Sequence, residues 1–275
     1  MGVVNVTPDS FSDGGRYDTT GTAVAQGLRL VAQGAAVLDI GGESTRPGAM
    51  PVTMLDEIGR VIPAISALRQ SLSSPSVMTI DAIHRSSPST LISVDTSKPE
   101  VARAAVAAGA DIWNDVTALQ GAPESLDVAA ELGCRVVLMH MRGEPRTMQQ
   151  APAYDDVVGE VEAFLLHRAE AAVSAGVARE RVMLDPGIGF GKRPEHSFAL
   201  LAALPRLVAH GWPLLLGASR KRFIAAADPT ATNPTDRLGG SLAAVLRGME
   251  AGVAMVRVHD VRETAQALAV WERAR

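Results

Sequence analysis

Eight short apolar runs punctuate the chain, at residues 3–6, 36–40, 91–94, 112–116, 136–139, 182–184, 214–216 and 255–258. Stretches with helical spacing separate them, so the pattern predicts strand alternating with helix eight times. That alternation is the sequence form of an α/β fold, a closed parallel (β/α)8 barrel of the TIM type. The C-terminal strand ends of such barrels form the active-site face. Polar residues gather there: Asn5, Asp39, Asp95, Asn114, His140, Asp185 and Ser219 stand at or just past the ends of the runs, with Arg257 and His259 on the last.

The connections after the first two strands, 7–20 and 41–53, are long and rich in Gly, Pro, Ser, Asp and Thr. Long connections on the functional face are usually lids or binding loops. The first contains T-P-D-S-F-S-D-G-G, with Asp9 and Asp13. The second contains G-G-E-S-T-R-P-G, where paired glycines let backbone approach a ligand and Arg46 can fork onto a carboxylate or phosphate. A Ser- and Pro-rich patch at 71–90 reads as a surface insertion between the second helix and the third strand. It falls on the N-terminal face, where loops serve stability, so Asp81 and His84 within it are set aside.

At 275 residues the chain suits one barrel domain over 1–275, since such barrels need ~250 residues. Apolar residues make up 47% but aromatics only 4%, so the core is expected to be aliphatic. No apolar stretch approaches the ~20 residues that cross a bilayer, and the N-terminus has no signal-peptide pattern. The expectation is a cytoplasmic protein with no membrane partner. The single cysteine, Cys134, precedes an apolar strand and reads as a buried, inert thiol. A net charge of −4, with no long basic block, argues against a nucleic-acid partner.

Asp95, Asn114 and Asp185 come from three strand ends and can converge on one cavity. Carboxylates that only accept, beside an amide that donates and accepts, suit a flat heterocycle carrying an amino group next to a ring N–H. Asp95 alone serves equally well as a helix cap, because Thr96, Ser97 and Pro99 follow it. Asp185 does not, because Pro186 and Gly187 follow and the next helix is expected only near Pro194. After the seventh run G-A-S-R-K-R-F places Ser219, Arg220, Lys221 and Arg222. In the eighth, R-V-H-D, Arg257 and His259 are two apart and share a face, which makes an anion site where barrels commonly bind phosphate. Arg60, Arg103, Arg168 and Arg247 read as solvated helix faces.

Some chemistries are excluded. The segment G-I-G-F-G-K fails as a phosphate loop, since Arg193 follows Lys192 where a hydroxyl is required. No His and Cys cluster has zinc spacing, and no Ser-His-Asp arrangement or nucleophile elbow occurs. A hard ion such as Mg²⁺, held through substrate phosphates and one protein oxygen, is compatible with Asn5.

These segments, in this order, resemble the dihydropteroate synthase family. The similarity is carried by G-V-V-N-V-T-P-D-S-F-S-D-G-G, D-I-G-G-E-S-T-R-P-G, S-V-D-T, N-D-V, M-H-M, D-P-G-I-G-F-G-K, G-A-S-R-K-R-F and R-V-H-D, and runs from Gly2 to the last helix. The family condenses 6-hydroxymethyl-7,8-dihydropterin diphosphate with 4-aminobenzoate, releasing pyrophosphate and 7,8-dihydropteroate in folate synthesis. The resemblance implies that Asp95, Asn114, Asp185 and Lys221 hold the pterin, with Met139 and Phe190 lining its pocket. It implies that Arg257, His259, Arg46 and Asn5 meet the diphosphate, Asn5 through Mg²⁺. Phe11, Thr45, Arg46, Pro47, Ser219 and Lys221 would form the 4-aminobenzoate site, where sulfonamides compete. Asp13, Asp95, Lys221, Arg257 and His259 would be the catalytic set, in an SN1-like loss of diphosphate that needs no general base. Homodimerisation through the late helices is the family habit.

Two other readings use the same fold. A pterin-binding methyltransferase that hands its methyl group to a corrinoid protein needs no diphosphate site, so S-R-K-R-F and R-V-H-D argue against it. A non-catalytic pterin-binding barrel would bind the pterin diphosphate without releasing pyrophosphate. The 71–90 patch is longer than the family leads one to expect and would endanger Asp95 if it shifted the third strand.

Overall fold

The computed structural model describes residues 1–6, 19–44, 48–73 and 90–274. Strand and helix alternate through it as the apolar runs predict. β1 (Gly2–Asn5) precedes α1 (Thr19–Ala32), β2 (Val37–Gly41) precedes α2 (Met54–Ser73), and β3 (Leu91–Asp95) precedes α3 (Pro99–Ala107). β4 (Ile112–Asp115) leads to α4 (Ser125–Leu132), and β5 (Arg135–Met139) to α5 (Val157–Ser174). β6 (Val182–Asp185) is followed by α6 (Pro194–Ala202) and α7 (Leu204–Val208). Then come β7 (Leu215–Leu216), α8 (Arg222–Ala227), α9 (Leu238–Ala251), β8 (Met255–Val256) and α10 (Val261–Arg273).

β1 to β6 pair in chain order, all in parallel, and β7 pairs in parallel with β8. Two bridges join these sheets into a ring. Leu184 bridges Leu214, with Leu184 N–H donating to Pro213 O at 2.9 Å; Gly2 bridges Val258, with Val3 N–H donating to Val258 O at 3.2 Å. The result is a closed barrel, and among the described residues no strand is left with an unpaired edge.

Strand alternation then assigns every side chain to one of two places. Val4, Leu38, Ile40, Ile92, Val94, Trp113, Val136, Leu138, Leu184 and Leu216 point outward into one core with Val61, Ile65 and Leu68 of α2, Val161 and Leu165 of α5, and Leu200 of α6. The opposite parity points inward. Met1, Val37, Ile112, Val137 and Leu215, with Leu91, Met183 and Met255 against them, form a second apolar cluster that plugs the barrel floor. Two residues further along the same faces come Val3, Asp39, Ser93, Asn114, Met139, Asp185, Gly217 and Arg257, and two further again Asn5, Gly41, Asp95, Ser219 and His259. The interior therefore changes from apolar to polar within one step of the pleat.

The 71–90 patch is shorter as an insertion than its composition suggests, because α2 continues to Ser73; residues 74–89 lie outside the described residues. β3 keeps its register: Gly41 stands opposite Asp95, and Leu91 N–H donates to Ala36 O at 3.0 Å. Asp95 is not a helix cap, since α3 starts on Pro99 with Lys98 before it. Of the two long loops, 7–18 and 45–47 lie outside the described residues. Cys134 is buried, and burial pushes its thiol up. Among the described residues no helix is long and apolar enough to cross a membrane.

Arg168 corrects a sequence expectation. It sits on α5 but is 7% exposed rather than solvated. Its Nε donates to Ala118 O at 2.8 Å and its Nη2 to Leu119 O at 3.2 Å. Helical spacing does not show that the turn after β4 folds over this face. Ala118 and Leu119 have φ of 55° and 60°, an unfavourable conformation for side-chain-bearing residues, and Asp115 secures the same turn by accepting from Leu119 N–H at 2.8 Å. Arg60 is likewise partly buried, its Nη1 donating to Gly42 O at 2.8 Å. Arg168→Met should therefore lower stability by about 2 kcal/mol, read as a lower urea midpoint at unchanged slope. Arg103→Met, which removes only an exposed pair with Glu131, should leave that midpoint nearly in place.

Candidate active site

The polar inward layers meet at the C-terminal mouth of the barrel, and their centre is Arg257. Its Nε donates to Asp39 Oδ2 at 2.6 Å and its Nη2 to Asp95 Oδ2 at 2.8 Å. Asn114 joins from β4, with Nδ2 donating to Asp39 at 3.2 Å. Asp39 is fully buried, and Asp95 and Asn114 are nearly so. Burial pushes Asp95 up to about 7, against the pull of Arg257 and with the push of Asp39. Burial also works to lower Arg257, but the Asp39 and Asp95 carboxylates outweigh it and hold the guanidinium protonated.

Beside this network lies a slot between β6 and β7. Asp185 accepts from Gly187 N–H at 2.7 Å. Lys221 Nζ donates to Ile188 O and lies 4.4 Å from the centre of the Phe190 ring, a cation–π contact. Gly217 stands between them, since a Cβ there would lie in ordinary contact with both, 3.7 Å from Asp185 Oδ2 and 3.8 Å from Lys221 Nζ. Burial brings Lys221 down to about 8, opposed by Asp185, and raises Asp185, opposed by Lys221.

The loop that carries Phe190 requires glycine. Gly187 has φ +64°, and a Cβ on it would collide with His140 O and crowd Met139 Cγ at 3.2 Å. Behind the loop, Lys192 Nζ is buried against His140 Nδ1 at 2.8 Å, His140 O at 3.1 Å and Phe190 O at 3.1 Å. Burial takes His140 down to about 3, so it meets Lys192 as a neutral imidazole. This lysine fastens the loop to the end of β5 and is not a phosphate-loop lysine.

The last strand continues from Arg257 to His259. Ser219 Oγ accepts from His259 N–H at 3.2 Å and lies 3.1 Å from its Nδ1. Burial and then Arg257 hold the imidazole down at about 4, and therefore neutral. Arg220, next to Ser219 in sequence, is tied to Asp260 with Nε donating to Oδ2 at 2.9 Å. Asn5 closes the ring: a Cβ on Gly41 would stand 3.9 Å from Asn5 Oδ1 and 4.0 Å from Asp95 Oδ2, so two hard oxygen donors flank one backbone position. Among the described residues no group of three or more His, Cys, Asp or Glu is disposed to hold a metal ion.

Asn5, Asp95, Asn114, Met139, Asp185, Phe190, Ser219, Lys221, Arg257 and His259 are thus all at one end of the barrel. Phe11, Asp13, Thr45, Arg46 and Pro47 lie outside the described residues. The sequence reading names Asp39 among the strand-end polar residues but gives it no role, although V-L-D-I-G places it at the inward parity of Val37 and Gly41. It leaves out the Ile188 carbonyl and Gly217, whose contributions are a backbone atom and an absent side chain.

Comparison with known proteins gives this mouth its context. Residues 1–259 match the pterin binding enzyme family. Dihydropteroate synthase of Escherichia coli is 44% identical over 99% of this chain and 90% of its own length. The structure of Xanthomonas albilineans dihydropteroate synthase with 4-aminobenzoic acid superimposes with a TM-score of 0.88 at 49% identity, covering 100% of this chain and 92% of that one. A sulfonamide complex of the Yersinia pestis enzyme gives a TM-score of 0.88 at 40% identity, covering 100% and 93%. With the family matched over nearly the whole barrel and these identities held from end to end, the chain belongs to the pterin-binding enzymes, in the dihydropteroate synthase family.

Proposed function

We propose that the chain condenses 6-hydroxymethyl-7,8-dihydropterin diphosphate with 4-aminobenzoate, releasing pyrophosphate and 7,8-dihydropteroate, and that sulfonamides compete at the arylamine site. The observation that carries this reading is the juxtaposition at one barrel mouth of acceptors, Asp95, Asn114 and Asp185, with the cations Lys221 and Arg257 and the neutral imidazole of His259. Acceptors recognise the amino group and N–H edge of a pterin, and the cations face a carbonyl and a leaving diphosphate. In this reading the whole of 1–275 acts as one domain, in the cytoplasm and as a homodimer, with the 71–90 segment as a surface feature of its N-terminal face.

Asp185 accepts from the pterin 2-amino group and ring N–H, Lys221 faces the ring carbonyl, and Asn114 completes the edge. Met139 and Phe190 cover the ring. The C–O bond to diphosphate breaks first, its electron pair leaving with the diphosphate, and the electron-rich dihydropterin stabilises the methylene cation. Asp13 and Asp95 add negative charge near that cation. The 4-aminobenzoate nitrogen, held among Phe11, Thr45, Arg46, Pro47, Ser219 and Lys221, then attacks the methylene carbon and gives its proton to solvent. Arg257, His259 and Arg46 take up the departing negative charge, which is the main contribution required of the protein. The oxygen donors around Asn5 fit Mg²⁺, which keeps most of its water and takes few protein oxygens; when bound it supplies positive charge to the diphosphate.

The deciding experiment is pyrophosphate release by purified protein given Mg²⁺, the pterin diphosphate and 4-aminobenzoate. Release should depend on the arylamine, and Arg257→Ala should lower kcat by roughly 10²–10³-fold. Pterin binding without release would instead support a non-catalytic barrel.

The depressed pKa of Lys221 sets a pH dependence. The ammonium is the binding form, so kcat/KM for the pterin diphosphate should fall above about pH 8. Asp185 is the charge that keeps the proton on Lys221, so in Asp185→Asn the alkaline limb should move to lower pH. The assignment to Lys221 fails if Lys221→Met retains the same limb.

A further inference from the structure

We propose that Asp39 is the positioning residue of the site: one buried carboxylate that orients both the diphosphate cation Arg257 and the pterin amide Asn114 without touching substrate. The inference rests on the function proposed above and deepens it. Asp39 lies on the inward face of β2, one pleat below the mouth-level Gly41, and has no exposed surface. It accepts from Arg257 Nε at 2.6 Å and from Asn114 Nδ2 at 3.2 Å.

The chemistry of each partner makes the contact directional. A carboxylate only accepts, so Asn114 must turn its Nδ2 toward Asp39, and this fixes Oδ1 as the atom left for the remaining side of the amide. Asp39 thereby decides that Asn114 joins Asp95 and Asp185 as an acceptor. On Arg257, Asp39 takes Nε while Asp95 takes Nη2, so carboxylates from two adjacent strands define the guanidinium plane. Asp95 is at the mouth and is itself offered to ligand. Asp39 is beneath it, so its bond survives when Asp95 is drawn into pterin binding.

The charge arithmetic points the same way. Two carboxylates share one guanidinium in a buried space, an arrangement that does little for stability compared with an apolar layer. The side chains of the floor layer immediately below are apolar, with the buried Met1 amine donating to Val256 O at 2.9 Å as the polar group nearest Asp39 there, so a Val or Leu at 39 would continue that layer. A carboxylate there is explained by what it orients.

The experiment uses the full chain and four proteins: wild type, Asp39→Asn, Arg257→Gln and the double variant. Loss of the outer partner of a metal-ligating side chain costs roughly 10- to 100-fold in affinity or activity, and a loss of that order is expected for a carboxylate that orients Arg257 and Asn114 in the same way. Asp39→Asn should therefore weaken calorimetric binding of 6-hydroxymethylpterin, which carries no diphosphate, and lower kcat with the diphosphate substrate, while leaving KM for 4-aminobenzoate within about twofold of wild type. In the Arg257→Gln background the further loss of kcat should largely vanish, because Asp39 acts there through a cation already removed. Additive losses in kcat, wild-type pterin affinity, or an equal loss toward 4-aminobenzoate would each overturn the proposal. Thermal melts accompany every variant; where Asp39→Asn alone does not fold, the charge-neutral double variant compared with Arg257→Gln still reads the pterin arm. If wild type binds the pterin but releases no pyrophosphate, the proposed reaction falls, while the effect of Asp39→Asn on pterin binding still tests the orientation of Asn114.

Discussion

A closed parallel barrel gives its inward side chains one small shared interior, so a polar residue placed there must find a partner across the barrel and not in water. The arrangement of the mouth follows from that constraint. Arg257 comes from the last strand and its carboxylates from the second and third, 218 and 162 residues earlier, and they meet because β8 closes onto β1. Asn114 is drawn into the same network from β4. The outward parity of the same strands is largely aliphatic, with Trp113 and Asp115 on β4 as exceptions, and packs against the helices, so the polar interior is held by a scaffold that takes no part in it.

The fold was legible because its two periods are clean. Each apolar run is a strand, displaced by no more than a residue or two at its ends, and the last two are shortest because Leu214 and Val258 pair as isolated bridges. The strand-end residues were legible for the same reason: parity in R-V-H-D places Arg257 and His259 together, and Pro186 and Gly187 free Asp185 from helix capping. What stayed hidden is what depends on distant partners or on backbone. Asp39 looks like an ordinary polar break in a strand until Arg257 is found against it. Lys192 was read only as failing a phosphate loop, since nothing local shows its amine among His140 and two carbonyls. Arg168 sits in a helical pattern that is silent about the turn packed over it. Phe11, Asp13, Thr45, Arg46 and Pro47 owe their proposed roles to family motifs and not to periodicity.

The loop from 186 to 193 shows how little of a binding slot need be side-chain chemistry. Gly187 passes His140 O where any Cβ would collide, and Gly217 stands between Asp185 and Lys221. The Ile188 carbonyl takes the Lys221 ammonium. In the proposed reading the pterin ring lies against backbone here as well as against Met139 and Phe190, and the few polar groups then have mainly orientation to supply.

The electrostatics of the mouth bear on how it can act on a diphosphate. Asp39, Asp95 and Asp185 face Arg257 and Lys221, with Lys192 behind them, and burial drives Lys192 well down toward its neutral form. His140 and His259 are held neutral. There is thus no surplus of positive charge among these groups to attract a polyanion, and attraction by net charge does not explain the site. What the arrangement does supply is fixed direction: donors already oriented at a partly buried mouth, which need not reorganise when negative charge grows on a departing group. Such donors act on charge that develops during the reaction more than on charge already present in the substrate, the discrimination a transition state requires. The remaining ground-state charge of a diphosphate is left to other partners, the roles proposed above for Mg²⁺ and Arg46.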